Sequence, residues 1–207
     1  MAVVITVAQQ KGGAGKTTLA ANLAAALAGR RRVALFDVDP QRSLTRWHAL
    51  RAGRDVPAIS LSDLSGWRLV RGVERASQDH DVLIVDSPPQ LDMDAKLAIR
   101  TATLVLVPVQ PSSPDLWAAE GTLKLAADEK RPARLVLNRA PGAGKLRRDI
   151  EAEIARRGYE RLAHALGNRT GFAGAFAQGL GVTETAPKSV AATELLAVLA
   201  EIEGIVG

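Results

Sequence analysis

The sequence predicts an α/β fold, a doubly wound, mostly parallel sheet with helices on both faces. Three observations predict it. An apolar, β-branched run, Val3 to Val7, passes through a glycine-rich stretch into an alanine- and leucine-rich helix. Two further short apolar runs each end on an acidic residue, Asp37 and Asp86. Buried strands alternate with helical segments along the chain, the pattern of crossover units in a parallel sheet. At 207 residues, without repeats or low-complexity tracts, the chain reads as one domain over 1–207, large enough to bury a proper core.

The first unit is the most informative. After Gln9 and Gln10 comes Lys11-Gly12-Gly13-Ala14-Gly15-Lys16-Thr17-Thr18, and a helix runs from about Thr17 to Leu27. Strand, glycine loop and helix in this order are the context that a phosphate-binding loop needs. Glycines let successive backbone N–H groups turn toward phosphate oxygens, and the helix adds its positive end. Lys16 would reach the β- and γ-phosphates, and the Thr17 hydroxyl would ligate magnesium. The usual G-x-x-x-x-G-K-[ST] pattern has glycine where this chain has Gln10, and a second lysine, Lys11, opens the loop. A glycine-rich turn with two solvated lysines is the plainer alternative.

A second buried strand, Val33 to Phe36, delivers Asp37-Val38-Asp39-Pro40-Gln41 at its carboxyl end, where ligands lie in open parallel sheets. These aspartates face phosphates or merely cap the next helix, which carries Trp47 on its buried side. A short strand is expected over Ala58 to Leu61 and a helix around Trp67 to Gln78. Val82 to Val85 forms a central strand with Asp86 at its tip, the position of a carboxylate that holds magnesium, usually through water. Thr103 to Val107 is a buried strand, followed by a helix from about Asp115 to Ala127. Arg134 to Leu137 leads to Asn138 and Arg139. Leu146 to Arg157 is amphipathic, with Leu146, Ile150 and Ile154 expected in the core. Leu162 to Leu166 is strand or helix by composition. The last helix, Ser189 to Glu203, places Leu195, Val198, Leu199 and Ile202 on one face.

Composition narrows the function. There is no cysteine, which excludes disulfides, iron–sulfur ligation and thiolate zinc sites. No charged-then-apolar leader and no membrane-length apolar run is present, so a cytoplasmic chain is expected. The net charge of +5 is unevenly placed. Between Lys130 and Arg161 ten Lys/Arg stand against four Asp/Glu, a local excess of six that suggests a polyanion partner. The plainer reading is a solvated, salt-bridged helix face, since Arg147–Glu151 and Glu153–Arg157 stand four residues apart.

The K-G-G-x-G-K-T loop resembles the deviant Walker A motif of the ParA/MinD family of P-loop ATPases, and D-x-D-P-Q at 37–41 and D-x-P-P at 86–89 are similar to its switch motifs. The resemblance covers nearly the whole chain. It implies ATP and Mg2+ as ligands, with residues 12–18 cradling the phosphates. It further implies that Lys11 acts across an ATP-dependent homodimer and that Asp39 orients the attacking water. Asp37 supports the magnesium shell, and Asn138, with Arg139 beside it and Pro187 in the 181–187 loop, reads adenine. An ordinary turn role for Asn138 stays open. Leu162 to Leu166 is read as a strand on the same ground, and Arg169 matches a family arginine. Arg42-Ser43 departs from the glycine–asparagine pair more usual after the glutamine.

Three functions are compatible with the resemblance. A ParA-type positioning ATPase would bind duplex DNA without sequence preference as its ATP dimer and associate with the nucleoid. A ParB-like or cargo-adaptor protein would stimulate its weak hydrolysis. The candidate DNA contacts are Arg147, Arg148, Arg156, Arg157, Arg169 and Lys188. A MinD-like membrane-surface ATPase would want a basic amphipathic C-terminal helix, whereas residues 189–207 hold no Lys or Arg and three Glu; no membrane partner is expected. A P-loop metabolic ligase would want carboxylate-reading residues beyond the nucleotide set, and none is evident.

Overall fold

The computed structural model describes residues 2–142 and 144–207. Six strands form one sheet in the order β3-β2-β4-β1-β5-β6, and every pairing among them is parallel. They are β1 (Val3–Val7), β2 (Val33–Asp37), β3 (Ser60–Ser62), β4 (Val82–Asp86), β5 (Leu104–Val109) and β6 (Ala133–Leu137). The helices between them are α1 (Lys16–Ala28), α2 (Ser43–Ala49), α3 (Trp67–Asp79), α4 (Met93–Thr101) and α5 (Ser113–Asp128). After β6 come α6 (Lys145–Arg156), α7 (Thr170–Phe176), α8 (Val182–Thr185) and α9 (Val190–Val206).

Strand side chains alternate between two cores, as a pleat requires. Ile5, Val7, Leu35, Ile84 and Leu106 pack under α1, α2 and α7–α9, with Trp47 and the α9 stripe Leu195, Val198, Leu199 and Ile202 fully enclosed. Val4, Phe36, Leu83 and Val85 face α3 and α4, and Val105, Val107 and Val109 face α5 and α6. With both faces covered, the strands read as unbroken apolar runs. No helix among the described residues is long and apolar enough to cross a membrane.

The topology positions the site. β1 lies between β4 and β5, so the chain leaves it toward one side of the sheet and later returns on the other. In register, Val7 stands opposite Asp86, and Asp86 opposite Asp37. The glycine loop and both strand-end carboxylates therefore meet at one carboxyl edge.

Three expectations need correction, and one helix is added. β3 falls at Ser60–Ser62 rather than Ala58–Leu61. Leu162 to Leu166 forms no strand. It bonds to β6 at its two ends, Leu162 N to Leu135 O and Leu166 N to Leu137 O, and the bridges that flank it, Leu135–Arg161 and Ala140–Gly167, are isolated. Between them the N–H groups of Ala163 and His164 donate to the Glu201 carboxylate of α9 instead of a neighbouring strand. Leu146 is 54 % exposed, because the first turn of α6 extends past the packed layer that Ile150 and Ile154 reach. Finally, α4 is an additional helix. Its start is set by Asp92, whose carboxylate accepts from Ala95 N.

Candidate functional site

The loop after β1 is shaped by its glycines. Gly13 and Gly15 take left-handed φ of 77° and 95°, which side chains disfavour. At Gly15 a Cβ would also collide with Asn138 Nδ2. That amide donates to Ala14 O at 2.8 Å, while Asn138 Oδ1 accepts from Arg139 N at 2.9 Å. Both polar ends of Asn138 are thus engaged within the chain, and the residue braces the loop from β6.

Lys16 opens α1 and is buried. Burial pushes its ammonium below the usual lysine range, while the negative charges of Asp86 and Asp39 push it back up. Asp86 is fully enclosed, and neither carboxylate oxygen has a hydrogen-bond partner among the described residues. Burial pushes its carboxyl up to about 7; the nearby Thr17 hydroxyl and Lys16 favour the charged form without offsetting this. Asp37 divides its work. Oδ2 accepts from Thr45 N and Thr45 Oγ1 at 2.8 and 2.7 Å and so caps α2, whereas Oδ1 is buried without a partner. The capping alternative therefore holds for one oxygen of Asp37. Asp39 Oδ1 accepts from Gln41 N at 2.9 Å. Its side chain borders a cavity of about 360 Å3, together with Gly12, Gly13, Lys16, Thr17 and Thr18.

Lys11 lies outside that cavity. Its ammonium pairs with Asp115 Oδ2 at 2.6 Å near the start of α5, and Ser112 Oγ donates to the same oxygen. Asp115 is 104 residues from Lys11, and no local pattern in the sequence marks it.

A second cavity, about 500 Å3, adjoins the loop beyond Asn138 and is bordered by Gly15, Thr18, Gln110, Asn138, Arg139 and Phe172. Arg139 borders both cavities in a left-handed conformation, φ 51°. Pro187 borders neither; it is exposed in the turn between α8 and α9. Gln110 and Phe172, which sequence reasoning passed over, follow a strand end and occupy an Ala/Phe/Gly helix, positions without a motif of their own.

The cationic candidates are scattered. Arg147 pairs with Glu151, Arg156 and Arg157 with Glu153, Arg157 also with Glu120, and Arg169 with Glu194. Arg148 and Lys188 have no ion-pair partner among the described residues.

Chemically, three buried carboxylate oxygens without partners beside a buried lysine and a helix N-terminus form a place for a polyanion and a cation together. Among the described residues no group of three or more His, Cys, Asp and Glu side chains is placed to hold a metal alone. Magnesium binds through one or two protein oxygens, phosphates and retained waters. The residues present fit Mg-ATP. Thr17 would ligate the metal, Asp86 and Asp37 Oδ1 would hold its waters, and Lys16 with the loop amides would hold the phosphates.

Comparison with known proteins agrees with this geometry. The family model described as "CobQ/CobB/MinD/ParA nucleotide binding domain" matches residues 5–182. The chain is 32% identical over 212 residues to "Maintenance of carboxysome distribution protein A" of Halothiobacillus neapolitanus, covering 97% of this chain and 96% of that one. Its fold is similar to the solved structure of Cyanothece apo McdA, with a TM-score of 0.81 at 18% identity over 100% of both chains. It is also similar to Pyrococcus horikoshii MinD complexed with Mg-ADP, with a TM-score of 0.80 at 18% identity over 100% of this chain and 98% of that one. The chain belongs to the CobQ/CobB/MinD/ParA family of nucleotide-binding P-loop domains.

Proposed function

We propose that this chain is a ParA-type positioning ATPase, in which Mg-ATP joins two copies and hydrolysis, stimulated by a partner protein, separates them. The observation that carries the reading is the division of labour between the two loop lysines. Lys16 lies in the phosphate cavity, whereas Lys11 stands outside it, 41% exposed and, among the described residues, held through Asp115. A cation so placed adds little to nucleotide held by its own chain. Released from Asp115, it is available to a γ-phosphate held by a second copy, as an arginine finger is.

Within one copy, Lys16 and the loop amides bind and orient the phosphates, and Asp39, at the cavity wall, holds the attacking water and accepts its hydrogen bond. Magnesium supplies charge neutralisation of the β- and γ-oxygens when bound. The relative named for carboxysome distribution supports a cargo-positioning role, with a cytoplasmic body or a DNA region as cargo. Duplex DNA is the proposed track and the nucleoid the proposed location, on the strength of the local excess of cations between Lys130 and Arg161.

Lys11→Ala tests the reading. It should leave nucleotide affinity within about threefold of wild type, since the residue contributes little to its own site. ATP-dependent dimerisation in light scattering and ATP turnover should both disappear. A variant that dimerises and turns over normally reduces Lys11 to a surface cation and removes the reading's main support.

A further inference from the structure

At the sheet edge opposite the phosphate cavity, α3 and α4 flank a groove of about 780 Å3. Residues entering β5 and β6, such as Thr103 and Arg131, line it, which places it at the amino ends of the strands. A five-residue strand spans about 16 Å, so the groove is separated from the nucleotide site by the depth of the sheet. Its floor is apolar, formed by Val4, Val70 and Leu97, and its rim carries Trp67, Arg71 and Arg100.

Charge on and beside this rim is largely unspent. Arg71 lines the groove, and Arg68 and Arg75 stand beside it on the same exposed face of α3, at i, i+3 and i+7. Neither they nor Arg131 has an ion-pair partner among the described residues. Arg100 reaches Glu129 only at 4.0 Å, and Glu129 also faces Lys96. Glu74 is the single carboxylate among the described lining residues. The Arg71 guanidinium stacks over the Trp67 ring at 5.0 Å, and that ring is 65% exposed. Exposed tryptophan beside arginine is the residue chemistry of interface anchors.

We propose that this groove docks an acidic linear segment of a partner protein, its large apolar side chains on the Val4–Val70–Leu97 floor and against Trp67, its carboxylates on Arg71, Arg100 and Arg131. The apolar floor decides against nucleic acid as the occupant. Duplex phosphates would meet the convex arginines of α3 and leave the floor and the indole unused, whereas an extended segment alternating acidic and apolar residues uses both. Because the groove is remote from Lys11 and the phosphate cavity, docking is compatible with either nucleotide state, and its test does not depend on the dimerisation reading.

The test begins with a phage-displayed library of random dodecapeptides selected on the intact wild-type protein. Enriched sequences are then synthesised with a fluorescent label and titrated by anisotropy against wild type, Trp67→Ala, Arg71→Glu and Arg71→Gln. Thermal melts verify folding of these surface variants. The expected result is enrichment of Asp/Glu interleaved with Leu, Phe or Trp, and affinity lower by about tenfold in both Trp67→Ala and Arg71→Glu. The smaller loss should fall on Arg71→Gln, and ATP turnover should stay unchanged throughout. No enrichment, enrichment without that signature, or affinity unmoved by both substitutions overturns the proposal. Displacement of the peptide by a short duplex that binds Trp67→Ala normally but Arg71→Glu weakly also overturns it, in favour of a nucleic-acid surface.

Discussion

Two charged regions of this molecule obey opposite rules. At the carboxyl edge of the sheet, Lys16, Asp86 and one oxygen of Asp37 are buried and unpartnered or nearly so. Along α6, arginines are abundant, but Arg147, Arg156 and Arg157 are each tied to a glutamate one turn away or across to α5. Buried charge without a partner is costly, of the order of a few kcal/mol for each group. It persists where a ligand later supplies the missing contacts. Exposed paired charge costs little and is worth little, about 0–1 kcal/mol for each pair. The first region is therefore destabilised in favour of a ligand. The second is locally neutralised, and its formal excess of cations overstates the field it presents. The α3 face carries fewer cations, but Arg68, Arg71 and Arg75 have no ion-pair partner among the described residues.

The comparison breaks first at Lys16. Lys16→Ala should reduce ATP affinity by about a hundredfold or more, because the phosphates lose a desolvated cation at close range, and titration with a fluorescent ATP analogue measures it. Affinity unchanged from wild type would remove the phosphate-loop assignment. Asp39→Ala should keep Mg-ATP binding while slowing hydrolysis by about 100-fold or more, as loss of a positioned base does. Light scattering should then find a long-lived ATP dimer; a monomer under ATP contradicts the role given to Asp39.

Asp86→Asn sharpens the contrast in stability. In the nucleotide- and magnesium-free protein it should raise stability by about 1–3 kcal/mol, since an unpaired buried carboxylate is replaced by a neutral isostere. It should also weaken the magnesium dependence of nucleotide binding. The pH dependence has a definite sign. The folded carboxyl is held up near 7, above its ordinary value of 3.8, so the native state binds the extra proton. The contribution of Asp86 to stability therefore falls as pH rises from about 4 to about 7, and it is absent in Asp86→Asn. Denaturant melts of both proteins across that range check this; a difference, wild type minus Asp86→Asn, that rises over the interval reverses the assignment.

The smallest effect belongs to α6. Glu153→Gln releases Arg156, while Arg157 keeps Glu120, and should barely move a thermal melt because the lost pairs are solvated. If α6 contributes to a DNA track, the freed arginine should strengthen duplex binding by the Asp39→Ala dimer and steepen its salt dependence by about one phosphate contact. Binding and salt slope identical to the parent dimer would remove α6 from the track.

Local covalent pattern was enough to read β1, the glycine loop and α1, and to place Asp37 and Asp86 at strand ends, because each depends on contiguous residues and on side-chain period. The same holds for the start of the last helix near Ser189 and the enclosed stripe of α9. What the sequence could not determine is where a side chain's second partner lies. Asn138 braces Ala14 from 124 residues away, Lys11 is held by Asp115 from 104 away, and Glu201 takes the N–H groups that would have made residues 162–166 a strand. Leu146 repeats the period of Ile150 and Ile154 but finds no layer beneath it. Charge pairing divides between the two levels. α6 carries Glu151 and Glu153 within a turn of its arginines, a pairing that the spacing already offers, whereas the reach of Arg157 to Glu120 in α5 is decided only by packing. Periodicity and motif are properties of neighbours along the chain, whereas pairing and burial are properties of neighbours in space, and only the tertiary structure chooses those.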